Sequence, residues 1–449
     1  MVPRPVANCP AYQAFIAGLN PNSLDASLEQ LIGLIKRRQI DPPHGYAFAT
    51  VRYLAQAINC SPSDPHAIIA RITDDGKRLI EANPKLIVVG NIVRRVLSIV
   101  RDEIDTLIKE GHLPPGSDGR PTTPQLGYIP AVPSPLRHSE TEAGEATDGP
   151  EAHAQSDRSM SRTSSHRGKT QQTPLTPIAP PVSMFDLLAY PEEAHSPQPG
   201  SPPGEPDKKK DLKAESLSAT NEFMDELDQA DDQIASYALD HIHANEVIMI
   251  YGASETVQAF LLKAATKRKF TVISIECYPN HHREAQTYAA GGSANEGGTA
   301  PKKSLTSLGI EVIVAPDSHI FALMSRVNKV ILSTHAVMSN GGIVADAGTG
   351  LVAMAAKVHK IPVLVLSAVY KLSPVYPFDP EALEEYGDPA KALGPNDQDL
   401  LDRMTVVNPL TQYVSPEQID LYITNLGAHA RGYLNHVITD HYRTEELDL

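Results

Sequence analysis

The stretch Val247-Ile248-Met249-Ile250-Tyr251-Gly252-Ala253-Ser254-Glu255-Thr256 decides the fold. A short run of apolar residues, followed at once by glycine and by residues that open a helix, describes a strand covered on both faces. The same unit recurs downstream. Phe270 to Glu276, Ile310 to Ala315, Val330 to Ser333 and Val363 to Leu366 are further short apolar runs separated by helix-like segments. Strands alternating with helices predict a parallel, Rossmann-like α/β sheet over residues 246–449, with its functional edge at the carboxyl ends of the strands. Gly291 to Ala300 interrupts it as a flexible loop.

Upstream of this stretch the period changes. Phe223, Leu227, Ala230, Ile234, Ala238 and Ile242 repeat at helical spacing and run into Asn245, so residues 208–245 predict a helix. Leu24, Leu28, Leu31, Ile32 and Ile35 form another stripe, and Asp64 before Pro65 is an N-cap with proline at the first helical position. The longest stripe is Val89, Val93, Val96, Val100, Ile104 and Leu107, with Arg94, Arg95, Arg101 and Asp102 on the rest of that helix surface. Residues 1–110 therefore predict an N-terminal helical domain, which the 208–245 helix rejoins. The intervening 111–207 are rich in proline, serine and glycine without apolar periodicity, the composition of a disordered insert. Within it, Val182 to Tyr190 carries Met184, Phe185, Leu187 and Leu188, enough for a short docking helix.

With 449 residues, the chain has room for two or three domains at about 150 residues each. A net charge of -15 disfavours nucleic-acid binding except through a local patch. Cys9, Cys60 and Cys277 are odd in number and lack Cys-x-x-Cys spacing, which fits a reducing compartment without a zinc or redox pair. No signal pattern opens the chain, and the longest apolar stretch, Ile361 to Tyr370, is far below the ~20 residues of a membrane span. A cytoplasmic protein is the expectation.

Few segments carry chemistry. The turn Tyr251 to Thr256 lacks both Gly-x-Gly-x-x-Gly and the Gly-Lys-Ser/Thr of a phosphate loop, so it reads as an ordinary strand-to-helix turn. Ser333 to Gly342, followed by Asp346-Ala347-Gly348-Thr349-Gly350, is richer. Its asparagine and glycines permit positive φ and close backbone approach, so Asn340, Gly341, Gly348 and Thr349 could cradle a small anion or merely shape two tight turns. His335 has no cysteine or carboxylate near enough in sequence to suggest a dyad. Glu276, Cys277, His281, His282 and Arg283 do not form a metal set, because adjacent loop histidines point apart.

Four segments then align with a known family: Gly90 to Leu97, Ala238 to Glu246, Ser325 to Val330, and Tyr370 to Pro374. They closely resemble the beta-type regulatory subunits of eukaryotic translation initiation factor 2B, the guanine-nucleotide exchange factor for initiation factor 2. The resemblance covers the helical region and nearly all of 246–449, with Val407 to Leu410 and Asp420 to Gly427 matching near the end. It implies a non-catalytic subunit without cofactor or metal, assembled with alpha, gamma, delta and epsilon subunits, delta being the dimer partner. It also implies a role in sensing phosphorylation of the alpha subunit of initiation factor 2. For that contact the segment Asn91 to Asp102, with Asn91, Arg94, Arg95 and Arg101, is the candidate.

The family is itself similar to ribose-bisphosphate and methylthioribose-phosphate isomerases. By the motif match, Gly252 stands where those enzymes carry a cysteine, His335 where they carry an aspartate, and Tyr278 where a phosphate-binding arginine is expected. Glycine offers no nucleophile and a neutral histidine does not replace a carboxylate, so catalysis is expected to be lost. Asn340, Gly341, Gly348 and Thr349 keep the enzymes' ligand-loop pattern as a vestigial pocket. Two alternatives stay open: an isomerase with a rearranged site using Cys277 and His335, and a domain that binds a nucleotide or sugar phosphate as an allosteric ligand.

Overall fold

The computed structural model describes residues 9–19, 23–40, 43–113, 211–252, 254–277, 279–280, 305–393 and 403–447. Nearly all of the proline-rich insert with its Val182–Tyr190 segment, the Gly291–Ala300 loop, Tyr278, His281, His282 and Arg283 lie outside them.

Six long or medium helices come first: α1 (Pro10–Gly18), α2 (Leu24–Arg37), α3 (His44–Cys60), α4 (Pro65–Ala82), α5 (Ile87–Lys109) and α6 (Leu212–Ser236). The cap read from Asp64-Pro65 is present, the Asp64 carboxylate accepting the Ala67 N–H at 3.2 Å. In α5 the stripe Val89, Val93, Val96, Val100 and Ile104 is wholly buried, each such side chain contributing about 1.5–3 kcal/mol by leaving water. The helix expected to run into Asn245 instead stops at Ser236 and resumes for one turn as α7 (Ala238–His241). Asn245 then takes the left-handed conformation that asparagine tolerates, its N–H bonded to the Lys269 carbonyl at 2.7 Å.

The strands expected from sequence follow: β1 (Val247–Tyr251), β2 (Thr271–Glu276), β3 (Glu311–Pro316), β4 (Lys329–Ser333) and β7 (Val363–Leu366). Between them stand α8 (Glu255–Ala265), α9 (Ile320–Met324) and α10 (Thr349–His359). Five more strands are not anticipated: β5 (Ala336–Val337), β6 (Ile343–Asp346), β8 (Thr411–Val414), β9 (Leu421–Thr424) and β10 (Gly427–His429), followed by α11 (Leu434–His441). The main sheet has the order β10-β9-β7-β4-β1-β2-β3, parallel except for the antiparallel edge strand β10, and β5-β6-β8 form a small antiparallel sheet. Along β1, Ile248 and Ile250 point into a core shared with the helices, while Met249 and Tyr251 point into a second core beneath α10 and α11. That alternation is the pleat's twofold period expressed on two buried faces. Helices and sheets belong to one compact unit. Among the described residues no helix is long and apolar enough to cross a membrane.

Candidate functional site

From β1 the main sheet grows through β2 to β3 on one side, and from β4 through β7 to β9 on the other. The carboxyl ends of β1 and β4 therefore flank a topological switch point, the crevice where doubly wound sheets receive ligands. Gly252 leaves β1 with φ +74°, and a Cβ there would meet Asp346 Oδ2 at 3.0 Å and Cys277 Sγ at 3.3 Å. His335 leaves β4, and its Nε2 lies 2.9 Å from Asp346 Oδ1, both side chains half-buried. The structure thus provides the carboxylate that sequence separation hid. The β5–β6 hairpin folds Asp346 back beside His335, whose N–H bonds to the Val344 carbonyl at 2.8 Å.

Three more groups complete the floor. The Tyr251 hydroxyl donates to the Ala347 carbonyl at 2.7 Å, and burial pushes its pKa up, with the nearby Cys277 adding to the shift. Lys371 is buried in the turn after β7, where desolvation lowers its pKa while Asp231 and Asp346 oppose the shift. Asp231 is in turn held by the Thr256 hydroxyl at 2.8 Å. Lys371 and Asp231 escaped the sequence reading; the one available signal was that Lys371 sits inside the Tyr370 to Pro374 match.

The ligand-loop residues divide into two places. Asn340 and Gly341 form the tip of the hairpin, Asn340 donating to the Tyr413 hydroxyl at 2.7 Å and accepting the Gly342 N–H at 2.8 Å. Gly348 and Thr349 lie at its other end, about 13 Å of strand away. Gly348 has φ +98°, and a Cβ on it would run into the Tyr251 hydroxyl. Its N–H, at the start of α10, is taken by Gln412 Oε1 at 2.5 Å. Among the described residues no group of three or more His, Cys, Asp and Glu side chains could hold a metal ion.

The α5 residues expected to meet a partner are engaged within the chain. Asn91 donates to the Tyr370 carbonyl at 3.3 Å, Arg94 to the Glu446 carbonyl at 3.1 Å and Arg95 to the His441 carbonyl at 3.1 Å. Arg101 lies 2.5 Å from Glu446 Oε1. Arg94, expected on the helix surface, is only 6% exposed, because residues 441–447 cross over it. Arg443 fastens the same crossing to Asp105 at 2.7 Å and to Asp102. Within Asn91 to Asp102, Arg95 and Arg101 are half-buried and Asp102 is exposed.

The family model described as the Initiation factor 2 subunit family matches residues 39–431. The chain belongs to this family. Among its members, translation initiation factor eIF2B subunit beta of Schizosaccharomyces pombe is 34% identical over 433 residues, 94% of this chain and 97% of that one. The eIF2B subunit delta of Dictyostelium discoideum is 25% identical over 223 residues, 47% of this chain and 34% of that one. A chain in the tetrameric eIF2B-beta2-delta2 complex from Chaetomium thermophilum superimposes with a TM-score of 0.59 at 28% identity, covering 96% of this chain and 99% of that one.

Proposed function

We propose that this chain is a cytoplasmic, beta-type regulatory subunit of initiation factor 2B, the guanine-nucleotide exchange factor for initiation factor 2. The observation that carries the reading is the 34% identity to a beta subunit across almost the whole of both chains. The switch-point crevice supports it. Gly252 presents no side chain there, Cys277 is buried, and His335 is occupied by Asp346. In this reading these groups serve the turns after β1, β2 and β4 and carry no isomerase chemistry. Asn340, Gly341, Gly348 and Thr349 persist as turn-formers of a vestigial ligand loop.

In this reading the chain pairs with a delta subunit, joins alpha, gamma and epsilon subunits, and scaffolds exchange that another subunit catalyses. Sensing of the phosphorylated alpha subunit of initiation factor 2 is then a difference in affinity between two states of the assembly. Contact with that subunit runs along α5 at Arg95, with Arg94 and Arg101 holding the helix against the C-terminal residues and Asn91 holding it against Tyr370. The test is nucleotide exchange on initiation factor 2 by the particle with and without this chain. Omission is expected to slow exchange and abolish inhibition by the phosphorylated alpha subunit. Unchanged exchange and inhibition, or turnover of ribose or methylthioribose phosphates by the purified chain, would contradict the reading.

A further inference from the structure

Ser373-Pro374-Val375-Tyr376-Pro377-Phe378-Asp379-Pro380 places proline at every third position. Each proline fixes φ at about −65° and removes a backbone donor, and around Pro377 the chain closes a tight turn, the Phe378 N–H donating to the Tyr376 carbonyl at 3.0 Å. The base of this segment is pinned. The Ser373 N–H donates to the Val337 carbonyl at 2.7 Å, and the Ser339 N–H and hydroxyl reach the Val375 carbonyl at 3.2 and 3.1 Å. Pro377 is buried, while the residues around it stand out: Val375 is 39% exposed, Tyr376 54% and Phe378 90%. The Tyr376 and Phe378 rings lie 5.0 Å apart.

We infer that this proline-braced aromatic finger is the docking surface for a delta-type chain of the same family, an inference that rests on the regulatory-subunit reading above. Two aromatic side chains held in water by a stiffened backbone have already lost much of the conformational freedom that binding would remove. Buried on association, Phe378 would withdraw most of the about 150–250 Å² of a large aromatic from water, and Tyr376 about half of it. The occupant follows from the company a relative keeps: the matched Chaetomium thermophilum complex contains beta and delta chains. A delta chain also shares sequence with nearly half of this one. Two chains of one family facing each other across an approximate twofold axis present corresponding segments to one another, which suits a projecting finger. The exposed Asp379 and Glu381 stand beside it, so the inferred contact calls for a basic rim on the delta surface.

The test coexpresses the full chain with the delta-type subunit of its organism and follows assembly by sedimentation. The Tyr376→Asp, Phe378→Asp double variant is expected to weaken association by about tenfold or more, with the circular dichroism of the chain alone unchanged; Phe378→Leu keeps the association. In the parent, amide exchange over residues 375–381 slows when delta is added. A double variant that assembles like the parent, or exchange that does not slow, overturns the surface and leaves the subunit reading standing. A parent that never joins delta overturns both. Self-association of this chain through the finger, with delta joining unaffected by the double variant, overturns the assigned occupant.

Discussion

The helical part of the molecule and its α/β part present opposite surfaces. Among the described residues, every large apolar side chain left exposed lies at Ile313 or beyond, and none lies on α1 to α6. The helical part instead draws charge inward: Arg94 is buried under the C-terminal residues, and Asp75 is held between Tyr53 at 2.8 Å and Arg71 at 2.7 Å. A surface with its apolar groups covered offers a partner polar contacts such as the one proposed at Arg95. A surface that keeps Phe378 and Val358 in water leaves apolar area for a partner to cover.

The sharpest way to break this contrast is to reverse an inward charge. Arg94→Glu would set a carboxylate against the buried Glu446 and remove the donor to its carbonyl. A loss of about 3–5 kcal/mol is expected, read as a lower midpoint in urea. An unchanged midpoint would show that Arg94 is not enclosed. Next in size is Gly348→Ala, where a positive φ and the Tyr251 hydroxyl both oppose the new methyl group, for an expected loss of about 1–3 kcal/mol on the same measurement.

Acid should weaken the fold. His241 at the end of the helical part, His441 at the end of α11, and His429 at the sheet edge have pKa values lowered from 6.5 by burial, helped by Lys329 at His241 and Arg95 at His441. Each binds a proton more readily when unfolded, so their contribution is complete above pH 6.5 and is lost as pH falls from there toward the folded pKa. Glu446 acts in the opposite sense: burial raises its pKa above 4.5, so near that value protonation favours the folded state. Melting temperatures measured on either side of pH 6.5 should fall on acidification, and His441→Gln should flatten part of the slope. The smallest effect belongs to the outward side. Phe378→Asp should change the stability of the isolated chain by no more than about 0.5 kcal/mol, because the ring touches water and not core.

The same contrast explains what sequence could reveal. The strands β1 and β7 were read with their observed ends because runs covered on both faces are apolar throughout. The α5 stripe was legible for the equivalent helical reason. The small antiparallel sheet was not, because β5 and β6 span two and four residues and β8 returns from 65 residues beyond Asp346. Runs that short carry no period. The His335–Asp346 pair depends on the register of that hairpin, and the burial of Arg94 depends on a carbonyl 352 residues away. Local pattern records which face of an element is apolar; it does not record which distant segment will cover a charge.

In the proposed assembly other subunits finish the α/β surface. That assembly is tested most directly by native mass spectrometry of this chain, purified gently from its own cells, with its companions identified. The account predicts a particle containing delta-, alpha-, gamma- and epsilon-type subunits together with this chain. A lone chain or homodimer, in a preparation shown to keep other assemblies intact, would contradict it.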